Sequence, residues 1–157
     1  MPATLKQHIV PIIIKLGHFM FDSVDKENIR KLEKLLGEDI TDADDIIRLL
    51  PNAKIIEKDT IYYPHMWESG ASYEVYKFRY DDKTYYAIKQ CHWDTYSSIC
   101  SIDIYEDYKD VKNAIRDFYE AVGSQITDAM SFVEDDEVYE ELQEVKEYIE
   151  ERISSLR

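Results

Sequence analysis

Apolar positions in the first fifty residues recur at helical spacing. Leu5, Ile9, Ile12, Ile13, Leu16 and Met20 share one helical face, and Pro11 is expected to start or kink that segment. Ser23 or Asp25 can cap a second helix, with Ile29, Leu32, Leu35 and Leu36 on its stripe and Gly37 as its stop. Thr41 can cap a short third helix carrying Ile46, Ile47, Leu49 and Leu50, ended by Pro51.

The period then changes to two. Between Tyr62 and Tyr108 lie ten of the thirteen tyrosines and both tryptophans, the make-up of a pleated, half-buried surface. Strands are expected over 54–63, 73–80, 84–90 and 98–105. In the last of these Cys100, Ile102 and Ile104 alternate against Ser101, Asp103 and Tyr105. Asp81-Asp82-Lys83 is the strongest hairpin signal. A three-residue turn there pairs Tyr80 with Thr84, Phe78 with Tyr86 and Tyr76 with Ile88, putting the apolar residues on one face. The other face then presents Lys77, Arg79 and Lys89 beside Tyr73 and Tyr85, a cationic surface that either takes phosphate groups or pairs with neighbouring acids such as Asp103.

From about Asp107 the helical period returns. Val111, Ile115, Phe118, Val122, Ile126, Met130 and Val133 share a face, and Gly123 is expected to bend or split the run. Asp135 or Asp136 then opens a terminal helix with Val138, Leu142, Val145, Ile149 and Ile153 or Leu156 inward. The pattern predicts one α+β domain spanning 1–157: an antiparallel meander sheet of three to four strands (52–105), flanked by N-terminal helices (1–51) and acidic C-terminal helices (106–157).

Composition changes this picture chiefly through charge. The chain carries 33 acids and 19 bases, a net charge of −14. That opposes direct nucleic-acid or anionic-membrane binding, which calls for cationic surface. The asymmetry is local: residues 103–157 hold 17 acids and 6 bases, whereas residues 1–102 hold 16 and 13. Acids spaced three and four apart along a helix repel one another by a few tenths of a kcal/mol per pair. Their retention either keeps the protein soluble or builds a docking face for a basic partner.

The longest apolar stretch, Ile9 to Phe21, is interrupted by Pro11, Lys15, Gly17 and His18 and is too short for a membrane span of ~20 residues. It lacks a small-residue cleavage site, so a cytoplasmic location is expected. Cys91 and Cys100 match no zinc spacing and are expected to be reduced thiols in the core. No phosphate-binding glycine loop, paired CxxC or serine nucleophile elbow occurs, and no cofactor is implied.

The hairpin brings two loops together. Antiparallel pairing sets the entrance to its first strand, Pro64–Gly70, beside the exit from its second, Cys91–Tyr96. Trp67 and Trp93 on that rim are candidate protein-binding anchors, while His65, Glu68, His92 and Asp94 are candidate metal ligands or acid–base groups. His8 and His18 are read as partly buried helix residues.

The leading expectation is a non-enzymatic acidic protein-binding module of inhibitor or immunity type. It docks a basic partner, such as a nuclease or other nucleic-acid-binding protein, through carboxylates standing where phosphates would lie. Glu137, Glu140, Glu141, Glu144, Glu147 and Glu151 are its candidate contacts, together with Trp67 and Trp93. Two alternatives stay open. One is a small enzyme or metal protein built on His65, Glu68, His92 and Asp94. The other is a homo-oligomer paired through Val138, Leu142, Val145 and Ile149.

Overall fold

The computed structural model describes residues 47–48, 50, 52–66, 68–80 and 82–156. The N-terminal helices expected over 1–51 therefore fall almost wholly outside the described residues. The described chain has an α+β arrangement in which a four-stranded antiparallel sheet precedes two helices: β1 Lys54–Tyr62, β2 Gly70–Tyr80, β3 Lys83–Trp93, β4 Ser98–Tyr105, α1 Tyr108–Met130 and α2 Asp136–Ser155. Neighbouring strands in sequence are neighbours in space, in the order β1-β2-β3-β4. The terminal strand β4 begins and ends where its alternation predicts.

The hairpin register differs by one residue from the expected one. Tyr80 opposes Lys83, Arg79 opposes Thr84, and Phe78 opposes Tyr85 rather than Tyr86. The turn is two residues, and Asp82 enters the left-handed region at φ 58°, a conformation that aspartate tolerates better than most residues. A one-residue slip transfers every side chain of one strand to the other face. The cationic face is therefore split: Lys77 and Arg79 share a face with Tyr73, whereas Lys89 and Tyr85 lie on the opposite one. Lys89 Nζ meets Glu74 Oε1 at 3.6 Å, a cross-strand ion pair.

Both sheet faces bury apolar residues. On one, Ala71, Tyr73, Val75 and Ile88 pack with the helices in a single core cluster. On the other, Phe78, Tyr85, Ala87 and Ile104 are buried, with the Phe78 and Tyr85 rings stacked at 5.5 Å. The helical side of the core is supplied by Val111, Ala114, Ile115, Phe118, Tyr119, Val122, Ile126 and Met130 of α1, a three-and-four spacing that keeps one stripe inward. Gly123 does not split α1, which runs unbroken from Tyr108 to Met130; a Cβ there would stand 3.4 Å from Ile149 Cγ2, an ordinary contact. Asp107 and Asp135 cap the two helices, accepting from the N–H groups of Lys109 and Glu137. Leu142 and Ile149 of α2 are buried in the same core, with Val138 and Val145 packed against it. The stripe that self-pairing would use is thus occupied within the chain.

Polar groups join edge strand β1 to the helices. Glu57 accepts from Tyr73 Oη at 3.0 Å, Tyr108 Oη at 3.2 Å and Arg152 Nη2 at 3.2 Å. Asp59 accepts from the hydroxyls of Tyr119 and Tyr148. Every partner donates to a carboxylate oxygen, so the cluster is a satisfied clamp that blunts one sheet edge.

Asp103 on β4 is less comfortable: burial raises its carboxyl to about 6. The unfolded chain would release that proton near 3.9. The folded state thus holds the proton more tightly between pH ~4 and ~6, and the associated stability falls as pH rises through that window. Asp103→Asn is expected to raise the melting temperature at pH 7.5 by ~2–4 °C, about 1 kcal/mol after allowance for the screening of a half-exposed group. At pH 4 the variant and parent should melt together; a gain of equal size at both pH values would refute the assignment.

Candidate functional site

The rim predicted from the hairpin exists. Gly70, at the entrance to β2, lies opposite Trp93 at the exit of β3. The β1–β2 connection folds back on itself: the Tyr63 N–H donates to the Ser69 carbonyl at 2.9 Å and the Ser69 N–H to the Met66 carbonyl at 3.0 Å. His65 and Glu68 both adopt left-handed backbone there, at φ 59° and 55°. The β3–β4 connection is a tight turn held by Asp94, whose Oδ1 accepts from the N–H groups of Tyr96 and Ser97, each at 2.8 Å. These bonds pull the Asp94 carboxyl below its ordinary value, so it stays ionised well into acid.

An open groove of about 490 Å³ lies between this rim and the last turns of α1. Met66, Ser69, Gly70, His92, Trp93, Asp94, Ser97 and Ile99 form the sheet side, and Gln125, Asp128, Ala129 and Phe132 the helix side. Tyr63 ties the two together, donating from its hydroxyl to Gln125 Oε1 at 2.6 Å. Two large apolar side chains of the groove walls face solvent: Phe132 is 86% exposed and Ile99 73%. Tyr62 meets the Trp93 indole edge-on at 6.0 Å. Exposed apolar groups on both walls of an open groove mark a contact surface, whereas single exposed ones carry no such meaning. Among the described residues no lysine or arginine lines the groove. Its histidine stays neutral at physiological pH, because burial lowers the His92 pKa, and the His92 ring lies 6.2 Å from that of Phe118.

The proposed chemical constellation is dispersed. His65 Nε2 donates instead to Glu141 Oε2 of α2 at 2.6 Å, Asp94 is engaged in its own turn, and Glu68 is exposed. Among the described residues no group of three or more His, Cys, Asp or Glu side chains is arranged to hold a metal ion. Trp67 lies outside the described residues. Trp93 is half-buried and lines the groove. The expectation of reduced cysteines is overturned: Cys91 and Cys100 face each other directly across β3 and β4 and are joined in a disulfide, their Cα atoms 4.1 Å apart.

The acidic helix faces outward as its spacing predicts. Glu137, Glu140, Glu144, Glu147 and Glu151 are exposed, and Glu141 is half-buried at the His65 contact. Across α2 eight acids stand against two bases. One of those bases, Arg152, turns inward to Glu57 and offsets little of the outer charge. The His65–Glu141 contact makes the acidic face continuous with the loop whose Met66 and Ser69 line the groove.

Reasoning from sequence missed the α1 wall. Gln125, Asp128 and Phe132 read as parts of a helix, and only Phe132, just beyond the helix end at Met130, carried a signal of its own. No known family model matches this chain, nor does any curated protein or solved structure.

Proposed function

We propose that this chain is a non-enzymatic acidic binding module, of inhibitor type, that docks a basic nucleic-acid-binding protein. One observation carries the proposal: an open groove walled by exposed Ile99 and Phe132, with Asp94 and Asp128 in its lining, lies in a chain of net charge −14 whose last helix turns its carboxylates to solvent. An apolar centre with charged surroundings is how protein contacts combine affinity with specificity. The α2 carboxylates steer the partner and occupy its phosphate-binding surface; the groove supplies short-range contact.

The test is association kinetics with a panel of purified basic nucleases and DNA-binding proteins, in competition with duplex DNA. Changing Glu140, Glu144 and Glu147 together to Lys should slow association at least tenfold and flatten its salt dependence, with a melting temperature unchanged within ~2 °C. Exposed charges are screened over ~10 Å at 0.1 M salt and over ~30 Å at 0.01 M. Association that ignores salt across that range, or a complex that DNA does not displace, would refute docking through the acidic face.

A further inference from the structure

We infer that the rim groove is the socket for a long cationic side chain, arginine in particular, presented by the basic partner. The inference rests on the docking function proposed above and assigns its anchor point. A volume of about 490 Å³ lies within the ~300–1,000 Å³ of specific binding clefts and has room for one long side chain and the flank of its neighbour.

The walls suit both ends of an arginine. Met66, Ile99, Ala129 and Phe132 offer apolar surface to its methylene stem, while Asp94 from the sheet side and Asp128 from the helix side supply negative charge. Long cationic side chains bury their stems and keep their heads at a polar boundary. Trp93 adds an indole, the best aromatic partner for a cation. A guanidinium stacks on such a ring and meets carboxylates through several donors at once; an ammonium is a hydrated point charge and does neither as well. Nothing lining the groove repels the incoming charge: His92 is neutral and Asp94 ionised at physiological pH. The occupant is a protein segment because the exposed apolar surface runs past the groove. Ile99 on the sheet wall and Phe132 on the helix wall stand out into solvent, where residues flanking the inserted side chain would lie.

The probe is a synthetic peptide of about twelve residues with leucine and arginine at helical spacing, beside an analogue in which each arginine is citrulline, the same shape without the charge. Binding is read by calorimetry and by the amide resonances of 94–99 and 128–132. The arginine peptide should shift both sets, and the citrulline peptide should bind at least tenfold more weakly. Asp128→Asn and Phe132→Ala, both on exposed positions, should each weaken the arginine peptide at least tenfold without changing the fold. Equal binding of the two peptides would overturn the inference. So would arginine-peptide binding untouched by both groove variants but lost when Glu140, Glu144 and Glu147 become Lys; that outcome leaves docking through α2 standing. Free arginine amide binding as tightly as the peptide would overturn the protein occupant in favour of a small molecule.

Discussion

Gly70→Ala is expected to lower the melting temperature by ~6–12 °C and to move Trp93 off the sheet. Gly70 is paired on both sides, with Tyr62 of β1 and Trp93 of β3. The indole lies over its bare Cα. A Cβ there would stand 2.6 Å from Trp93 Cζ2 and 2.7 Å from the Ile61 carbonyl oxygen, closer than real carbon contacts come. The indole can swing away. The carbonyl cannot, because Ile61 belongs to the β1–β2 ladder, opposite Ala71. Overpacking of this kind costs ~1–3 kcal/mol, and a backbone clash belongs at the upper end. In a chain of this size each kcal/mol shifts melting by ~2–4 °C. Displacement of Trp93 should also redden its fluorescence, measured with Trp67→Phe so that one indole reports. A variant that melts within ~1 °C of the parent would refute the packing described for this rim. Because Gly70 and Trp93 both line the groove, arginine-peptide affinity should fall with the same substitution.

Particular residues show where sequence reasoning succeeds and where it stops. Strand β4 was legible from end to end, because Cys100, Ile102 and Ile104 alternate cleanly against Ser101 and Asp103. The α1 stripe was equally plain, and of the two caps the sequence offered for α2, Asp135 and Asp136, the structure uses Asp135. The hairpin register was not legible, since its derivation assumed a single apolar face. The sheet buries both faces: Tyr73, Val75 and Ile88 lie on one and Phe78, Tyr85 and Ala87 on the other. Matching Phe78 with Tyr86 thus maximised an alternation that the fold does not use.

The rim survived that error because the ends of two paired strands stay adjacent when the register slips by one residue, ~3.4 Å along the strand. Its helical wall did not follow from any local pattern. Gln125 and Asp128 reach the groove only because α1 crosses the sheet with Phe118 and Tyr119 against Tyr73, a tertiary fact. The His65–Glu141 contact joins residues 76 positions apart and had no sequence signature. The clamp of Glu57 and Asp59 was hidden for the same reason. Alternating acids on a strand suggest solvent, and here they meet tyrosines and an arginine from α1 and α2.

The cysteines give the second large expected effect. Their spacing of nine suggests nothing until β3 is known to extend to Trp93; the turn at Asp94–Ser97 then places Cys91 opposite Cys100. Changing both to Ala is expected to cost ~3 kcal/mol, the chain-entropy value for a closed loop of about ten residues, and to lower melting by ~6–12 °C. Alanine is preferred to serine because Cys91 is buried and a hydroxyl there would add a desolvation cost of its own. Reduction with excess dithiothreitol should lower the parent's melting temperature by a similar amount and leave the double variant unchanged, which separates loss of the bond from loss of the side chains. A parent that melts identically with and without reductant would show that the bond does not stabilise the fold. The loop it closes contains His92, Trp93, Asp94, Ser97 and Ile99, most of the sheet side of the groove. Opening it restores conformational freedom to the wall that carries Asp94 and Ile99 while leaving the α2 carboxylates in place. Arginine-peptide affinity should therefore drop on reduction, whereas the salt-dependent association rate set by Glu140, Glu144 and Glu147 should hold.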